Sequence, residues 1–363
     1  MKRFLVLLAG AFAVACSDSP SGPSDTAPVQ DIQFLSLPIP IDLTPDGGVA
    51  LLQDFGNNLY FYHTATQELE LKTNVGTNPG DFATAISANG LVTASWGSPV
   101  QAGIWTQGAE WTGIASAYVQ GCDDIASSWD VSADGHVVVG LVWNKCNAEA
   151  FRWDATGSGI MTPLQRLGAS FPGSSNPPSN RATVVADDGG MMAGWAQTSA
   201  VDRWPAVWRP DGTGFLLPGT ALDTPGEVLS ISADGKMVAG TWGSEAFYWS
   251  EGTGVVNIGQ LPGSDVFDPQ YPNAIAAGGK LIFGGAGSPF FSIPRAWVWT
   301  QADGMRPLQD LITENGVEIP DGYLLINVLA ASNDGSVVLG VAYDPTGLQV
   351  SFVLRLPVSA YGL

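Results

Sequence analysis

The sequence predicts an all-β fold, a single seven-bladed β-propeller of four-stranded antiparallel blades. Three observations predict it: a hairpin phrase recurs seven times, a third strand ending in an aromatic residue follows most copies, and the last copy lacks a fourth strand that the start of the folded region can supply.

The chain of 363 residues opens with a segment set apart from that fold. Lys2 and Arg3 precede an apolar run from Phe4 to Val14, too short to span a bilayer comfortably, so residues 1–15 read as a signal peptide. It ends in Ala13-Val14-Ala15-Cys16, which resembles the bacterial lipobox: small residues fit the signal peptidase, and the Cys16 thiol takes the diacylglycerol. The alternative is an ordinary A-x-A site that releases a soluble protein. Residues 16–30 are rich in Ser, Pro, Gly and Asp, have almost no apolar side chain to offset ordering entropy, and form a lipidated flexible tether. As a random coil it spans roughly 20 Å. Ser17 after the cysteine, rather than Asp, resembles outer-membrane lipoproteins, so the expected location is the outer membrane, on its periplasmic side or at the cell surface.

Residues 31–363 carry the repeats. Each copy is an apolar stretch, an Asp-Gly type turn, and a second apolar stretch, begun at Asp46, Asn89, Asp134, Asp188, Asp234, Gly278 and Asp334, 43 to 56 residues apart. Asp-Gly between apolar runs signals a β-hairpin with a type I′ turn. A glycine six residues after the turn's first residue recurs as Gly140, Gly194, Gly240, Gly284 and Gly340, with Leu52 and Ser95 in the first two copies. Third strands end at Trp105, Trp153, Trp208, Trp249 and Trp299, which recur from blade to blade and are therefore packing residues. Short fourth strands follow a small-residue turn. The seventh copy stops after its third strand, and 32–38 is the candidate fourth strand, so the chain's two ends latch the ring; an open solenoid-like stack is the alternative.

The phrase Ile231-Ser-Ala-Asp-Gly235 followed by Ala246-Phe-Tyr-Trp249, with Ala150-Phe-Arg-Trp153 as a second good copy, resembles the HAF-type extracellular repeat of exported bacterial proteins. The resemblance covers nearly all of the chain after the tether, although Glu149, Glu245 and Arg295 stand where the family has histidine. It implies an extracellular propeller-like repeat protein with no shared reaction attached.

Of 14 Lys+Arg, two lie in the signal segment, leaving 12 against 34 Asp+Glu, a field that excludes nucleic acid as a partner. Cys122 and Cys146 fall in one blade. Counting from Asp134-Gly135 places Cys122 opposite Asn147, beside Cys146, so a disulfide is expected in an oxidising compartment, two structural thiols being the alternative. His63 and His136 belong to no metal-ligand pattern, and neither a metal nor another cofactor is expected.

Short, uniform turns occupy one face of such a ring. The other face carries the variable loops, 170–181, 197–204, 264–273, 287–295 and 313–323, and is the candidate binding face. Its candidate contact residues are Arg203, Trp204, Tyr271, Phe290, Phe291, Arg295, Tyr323 and Tyr343, for a glycan or a protein, the alternative being that they pack under the loops. The expected protein is thus a monomeric binding scaffold held at the bilayer through Cys16. The rival is a carbohydrate-active enzyme, a glycoside hydrolase or polysaccharide lyase, working with loop carboxylates at the propeller mouth, for which Asp123, Asp124, Asp202, Asp265, Asp268 and Asp321 are candidates.

Overall fold

The seven phrases fold as seven four-stranded antiparallel sheets around one axis. The computed structural model describes residues 30–363 apart from 38, 79–80, 115–124, 146, 220–223 and 288–291. The leader, Cys16 and most of the tether, the cysteines Cys122 and Cys146, Asp123, Asp124, Phe290 and Phe291 lie outside the described residues.

Blade 7 closes the ring as the sequence predicts. Its fourth strand is Asp31–Leu35, paired antiparallel with Gln349–Arg355 from Asp31 opposite Arg355 to Leu35 opposite Ser351. Arg355 donates from Nε and Nη2 to the two carboxylate oxygens of Asp31, both at 2.6 Å, and this pairing holds the Asp31 carboxyl below its ordinary range. Arg355 also pairs with Val337, just beyond the seventh turn, and Gln67, in a third-to-fourth turn of blade 1, donates to Asp31. The latch strand therefore enters from the short-turn face.

The turn itself departs from the expected type I′. That geometry needs positive φ at both central residues, but in six of the seven copies only the glycine has it, +77° at Gly135, the Gly278-Gly279 copy being the exception at +63° and +89°. Gly135 N–H bonds back to the Ser132 carbonyl at 2.9 Å, so Ala133 and Asp134 form the centre of a longer loop. The reason lies in the side chains. Ser132 Oγ donates to Asp134 Oδ1 at 2.6 Å and accepts the Val137 N–H at 2.9 Å, while Asp134 Oδ1 accepts the His136 N–H. Thr44, Ser87, Ser232 and Ser332 do the same work in their blades.

The recurring glycine has a steric cause. A Cβ on Gly240 would stand 2.1 Å from the Glu227 carbonyl oxygen, and Gly140, Gly194, Gly284 and Gly340 face the innermost strand of their own blades in the same way. Every innermost strand also carries a β-bulge, in blades 1 and 2 with Leu52 and Ser95 rather than glycine at the recurring position. Its extra residue is Ile41, Thr84, Trp129, Thr183, Leu229, Asn273 or Leu329, always five residues before the turn. In blade 3 the bulge moves the pairing by one residue, from Val131 opposite Val138 to Ala126 opposite Val142, so the count that set Cys122 opposite Asn147 does not hold past Trp129.

Backbone bonds join the blades at five of the seven seams at the short-turn end. Ala88 N–H reaches the Ala133 carbonyl, Ala133 that of Asp187, Asp187 that of Ala233, Ala277 that of Asn333, and Asn333 that of Pro45, at 2.8–3.1 Å. Pro45 has no N–H to make such a bond into blade 2. At that seam the Asp42 carboxylate instead accepts the Ile86 N–H at 2.9 Å.

The tryptophans ending the third strands are all buried, Trp208 completely, as packing residues should be. The connection into blade 7, expected as a plain loop from 313, includes the helix Leu308–Glu314, whose Leu308, Leu311 and Ile312 are buried in the core between blades 6 and 7.

Candidate functional site

The bulges define the site, because each aims an extra side chain at the axis. On their short-turn side lies a cavity of about 270 Å³, bordered by all seven bulge residues and by Pro45, Ala133, Asp187, Ala233 and Asn333 of the short-turn seams. Asp42 and Asp130, each one residue past its bulge, line it with Asp187, and no Lys, Arg or His does so among the described residues. Asp130 Oδ2 accepts the Val185 N–H of blade 4 at 2.7 Å, as Asp42 accepts that of Ile86. Burial raises all three carboxyls. Asp42 goes up to about 7, with the charge of Asp187 adding to the burial; Asp130 goes well above its ordinary value, with Asp42 as the next cause; Asp187 is raised in spite of a hydrogen bond from Asn333. That bond, Asn333 Nδ2 to Asp187 Oδ2 at 2.5 Å, runs from blade 7 to blade 4 and bars the short-turn mouth.

Toward the variable loops the chemistry changes sign. Arg181, at the start of the innermost strand of blade 4, sets its Cζ 3.8 Å from the centroid of the Trp129 ring and 5.6 Å from that of Trp195. Its Nη2 donates to Glu227 Oε2 at 3.0 Å. Arg203, from the loop before the third strand, donates to both Glu227 oxygens at 3.0 Å and lies 5.4 Å from the Trp195 centroid. Burial lowers the Arg181 pKa to about 10, with Arg203 pushing the same way and Glu227 opposing. Tyr271 stands near enough to Glu227 for that charge to add to burial in raising its phenol. The Trp129 and Arg181 stack separates this guanidinium and indole mouth from the carboxylate cavity.

Of the candidate contact residues, the structure brings Arg203 and Tyr271 to the mouth. Trp204 is 5 % exposed, donates to the Leu217 carbonyl and meets Trp242 edge to face at 4.8 Å, because the first residue of its strand turns inward; it is a packing residue. Arg295 ties loop 262–264 through the Pro262 carbonyl and Ser264 Oγ. Tyr323 packs on Phe34 of the latch strand at 4.0 Å, away from the mouth, and Tyr343 is half-buried where the second strand of blade 7 ends, opposite Leu324.

The four described loop carboxylates do not line the cavity either. Asp202, Asp265 and Asp321 are exposed, and buried Asp268 folds its own loop by accepting from Asp265 N–H and Ser292 Oγ. His63 and His136 sit beside Glu70 and Asp134, outside the channel. Among the described residues no group of three His, Cys, Asp or Glu side chains is placed to hold a metal ion.

The two faces also differ in apolar exposure. Phe55 and Phe267 are 85 % and 80 % exposed, and Phe82, Phe171, Val266, Tyr271, Ile293 and Leu348 are exposed with them, all on the variable-loop face. The turns of the opposite face carry Asp46, Asp134, Asp188, Asp234 and Asp334, with Ile160 the exposed apolar exception among its described turns.

Fold and channel together define a seven-bladed β-propeller protein. No family model matches the chain, and no curated protein matches it. Solved structures do. An oligogalacturonate lyase from Vibrio parahaemolyticus aligns over 93 % of this chain and 96 % of its own at TM-score 0.58 and 15 % identity. A catalytically inactive virginiamycin B lyase from Staphylococcus aureus, solved with quinupristin, aligns over 90 % and 99 % at 0.56 and 12 %. A chain of the mitotic checkpoint complex aligns over 97 % and 99 % at 0.53 and 14 %. At these identities the likeness is one of fold.

Proposed function

We propose that this chain is an exported, lipid-anchored propeller that binds a glycan through its variable-loop face. The observation that carries the reading is the asymmetry of the faces: most of the exposed large apolar side chains, Phe55 and Phe267 foremost, lie on the variable-loop face that also carries the mouth. Rings such as Phe55, Phe267 and Tyr271 offer flat apolar surface to sugar faces, and loops on a rigid scaffold can vary without loss of fold. Lipidation at Cys16, a place at the outer membrane, membership among HAF-type repeat proteins and a Cys122–Cys146 disulfide belong to the same proposal and rest on the sequence.

The test is to incubate purified 17–363 with a panel of bacterial and plant polysaccharides, recording both retention and release of reducing ends. Retention without release is expected. A protein that retains no glycan refutes the reading and directs attention to a protein ligand.

One observation favours a second reading, the carbohydrate-active enzyme, though not with the loop carboxylates. Asp42, Asp130 and Asp187 share a cavity with raised pKa values, and an acid near 7 suits general acid–base work. Two of the fold's likenesses are lyases by name, which is compatible with either reading. Release of reducing ends that disappears in Asp42→Asn would replace the scaffold with the enzyme.

A further inference from the structure

The mouth on the variable-loop face holds more hydrogen-bond donors than the protein uses. Arg181 spends Nη2 on Glu227 and Nε on Thr183 Oγ1 at 3.2 Å, leaving Nη1; Arg203 spends Nη1 on Glu227, leaving Nε and Nη2. The indole N–H groups of Trp129 and Trp195 are buried without an acceptor among the described residues, and Trp195 is only 9 % exposed. Everything left unspent on these four side chains is a donor. The buried indoles wall the mouth, and the donors left for an incoming acceptor are those of the guanidiniums, Arg203 above all, whose side chain is 47 % exposed.

Charge narrows the ligand. Two guanidiniums share one carboxylate, Glu227, in a chain with 34 acidic and 14 basic residues, so this mouth keeps one positive charge in a negative field. A planar carboxylate fits that surplus and the fork of a guanidinium. The guanidiniums are also fixed in place. The Arg181 side chain is 9 % exposed and stacked on Trp129, and Glu227 holds both groups. Tyr271, which lies near the start of its innermost strand as Arg181 does and is partly exposed, supplies apolar surface beside the charge.

We propose that the mouth formed by Trp129, Arg181, Trp195, Arg203, Glu227 and Tyr271 is a subsite for the carboxylate of a uronic-acid residue, with the sugar ring resting on the neighbouring aromatic side chains. This deepens the glycan reading and rests on it. Arg203 is the reporter, since its side chain is 47 % exposed and its loss spares the core, while Arg181 stays to neutralise Glu227.

The experiment is titration calorimetry of 17–363 with a short oligouronate and with the same oligosaccharide after its carboxyl groups are reduced to alcohols. The acid form is expected to bind at least about tenfold more tightly, the value of one charge-assisted hydrogen bond. Arg203→Ala should remove that preference while keeping its thermal midpoint, and Arg203→Lys should restore only part of it, because an ammonium lacks the fork. Equal affinity for the two forms, or full acid preference in Arg203→Ala, overturns the inference and leaves the glycan reading standing if either form binds. Binding of neither form, together with no retention of any polysaccharide, overturns both. An acidic peptide that binds in an Arg203-dependent manner where oligouronates do not would also overturn it.

Discussion

Replacing Asp42 by Asn should make the propeller more stable at pH 8 and leave it unchanged at pH 4. The Asp42 carboxylate accepts the Ile86 N–H at the seam with blade 2, and an Asn side-chain oxygen can still accept it. What the substitution removes is a charge. Burial raises the folded-state pKa of Asp42 to about 7 from 3.8, so the folded protein holds a proton that the unfolded chain releases. For a raised pKa the contribution to stability is fully present below the unfolded value and is lost progressively as pH climbs from about 4 to about 7. The shift of roughly three units corresponds to at most about 4 kcal/mol, reduced in practice because the side chain borders a water-accessible cavity. In a chain this long that amounts to a difference in thermal midpoint on the order of 5 °C between variant and parent. The assay is urea or thermal unfolding of both proteins at pH 4 to 8, read as their difference so that other titrating groups cancel. A difference that stays flat across that range, or a variant less stable than its parent at pH 8, would refute the argument.

Gly240→Ala should destabilise the protein by about 1–3 kcal/mol in urea, since its Cβ would meet the Glu227 carbonyl at 2.1 Å, whereas Gly252→Ala, with open space around it, should be neutral. Arg355→Ala should raise amide exchange in Asp31–Leu35 far above that of other blades' fourth strands; unchanged exchange would mean the latch does not depend on the pair. The Asp31 pKa is lowered by Arg355, so the latch's electrostatic contribution holds above about pH 4 and fades as pH falls below it, which exchange at pH 3 against pH 6 checks. Intact mass of the purified full chain with and without reductant should differ by the two hydrogens of a Cys122–Cys146 bridge, and metabolic labelling with a fatty acid should be lost in Cys16→Ser.

The ring was legible because hairpin turns repeat seven times and strand-ending tryptophans five times, and the latch because blade 7 lacks a strand that 32–38 can supply. The channel was harder to see. Asp42 and Asp130 look like ordinary strand residues until a bulge is known to precede them, and a bulge has no residue signature: Ile41, Thr84, Trp129 and Asn273 have nothing in common but position. Counting back five residues from each turn finds all seven. Seven residues back lie Arg181, Glu227 and Tyr271, so aligning the copies on their turns places three of the six mouth residues on one tier. Loop composition favoured Trp204 and Tyr323 instead, because an aromatic residue at a strand's end reads the same whether it faces solvent or the neighbouring blade.

The polarity of the latch strand has a consequence for reach. Asp31 stands at the short-turn rim, so a leash from Cys16 leaves from the pole opposite the arginine mouth. If Cys16 carries the proposed lipid, the bilayer faces the acidic turns and the arginine mouth looks outward across the height of a blade, about 20 Å for a six-residue strand, added to roughly 20 Å of leash. So tethered, the molecule would be a buoy on a short line, the proposed glycan mouth held roughly 40 Å clear of the headgroups, where long polymers pass without being pressed against lipid.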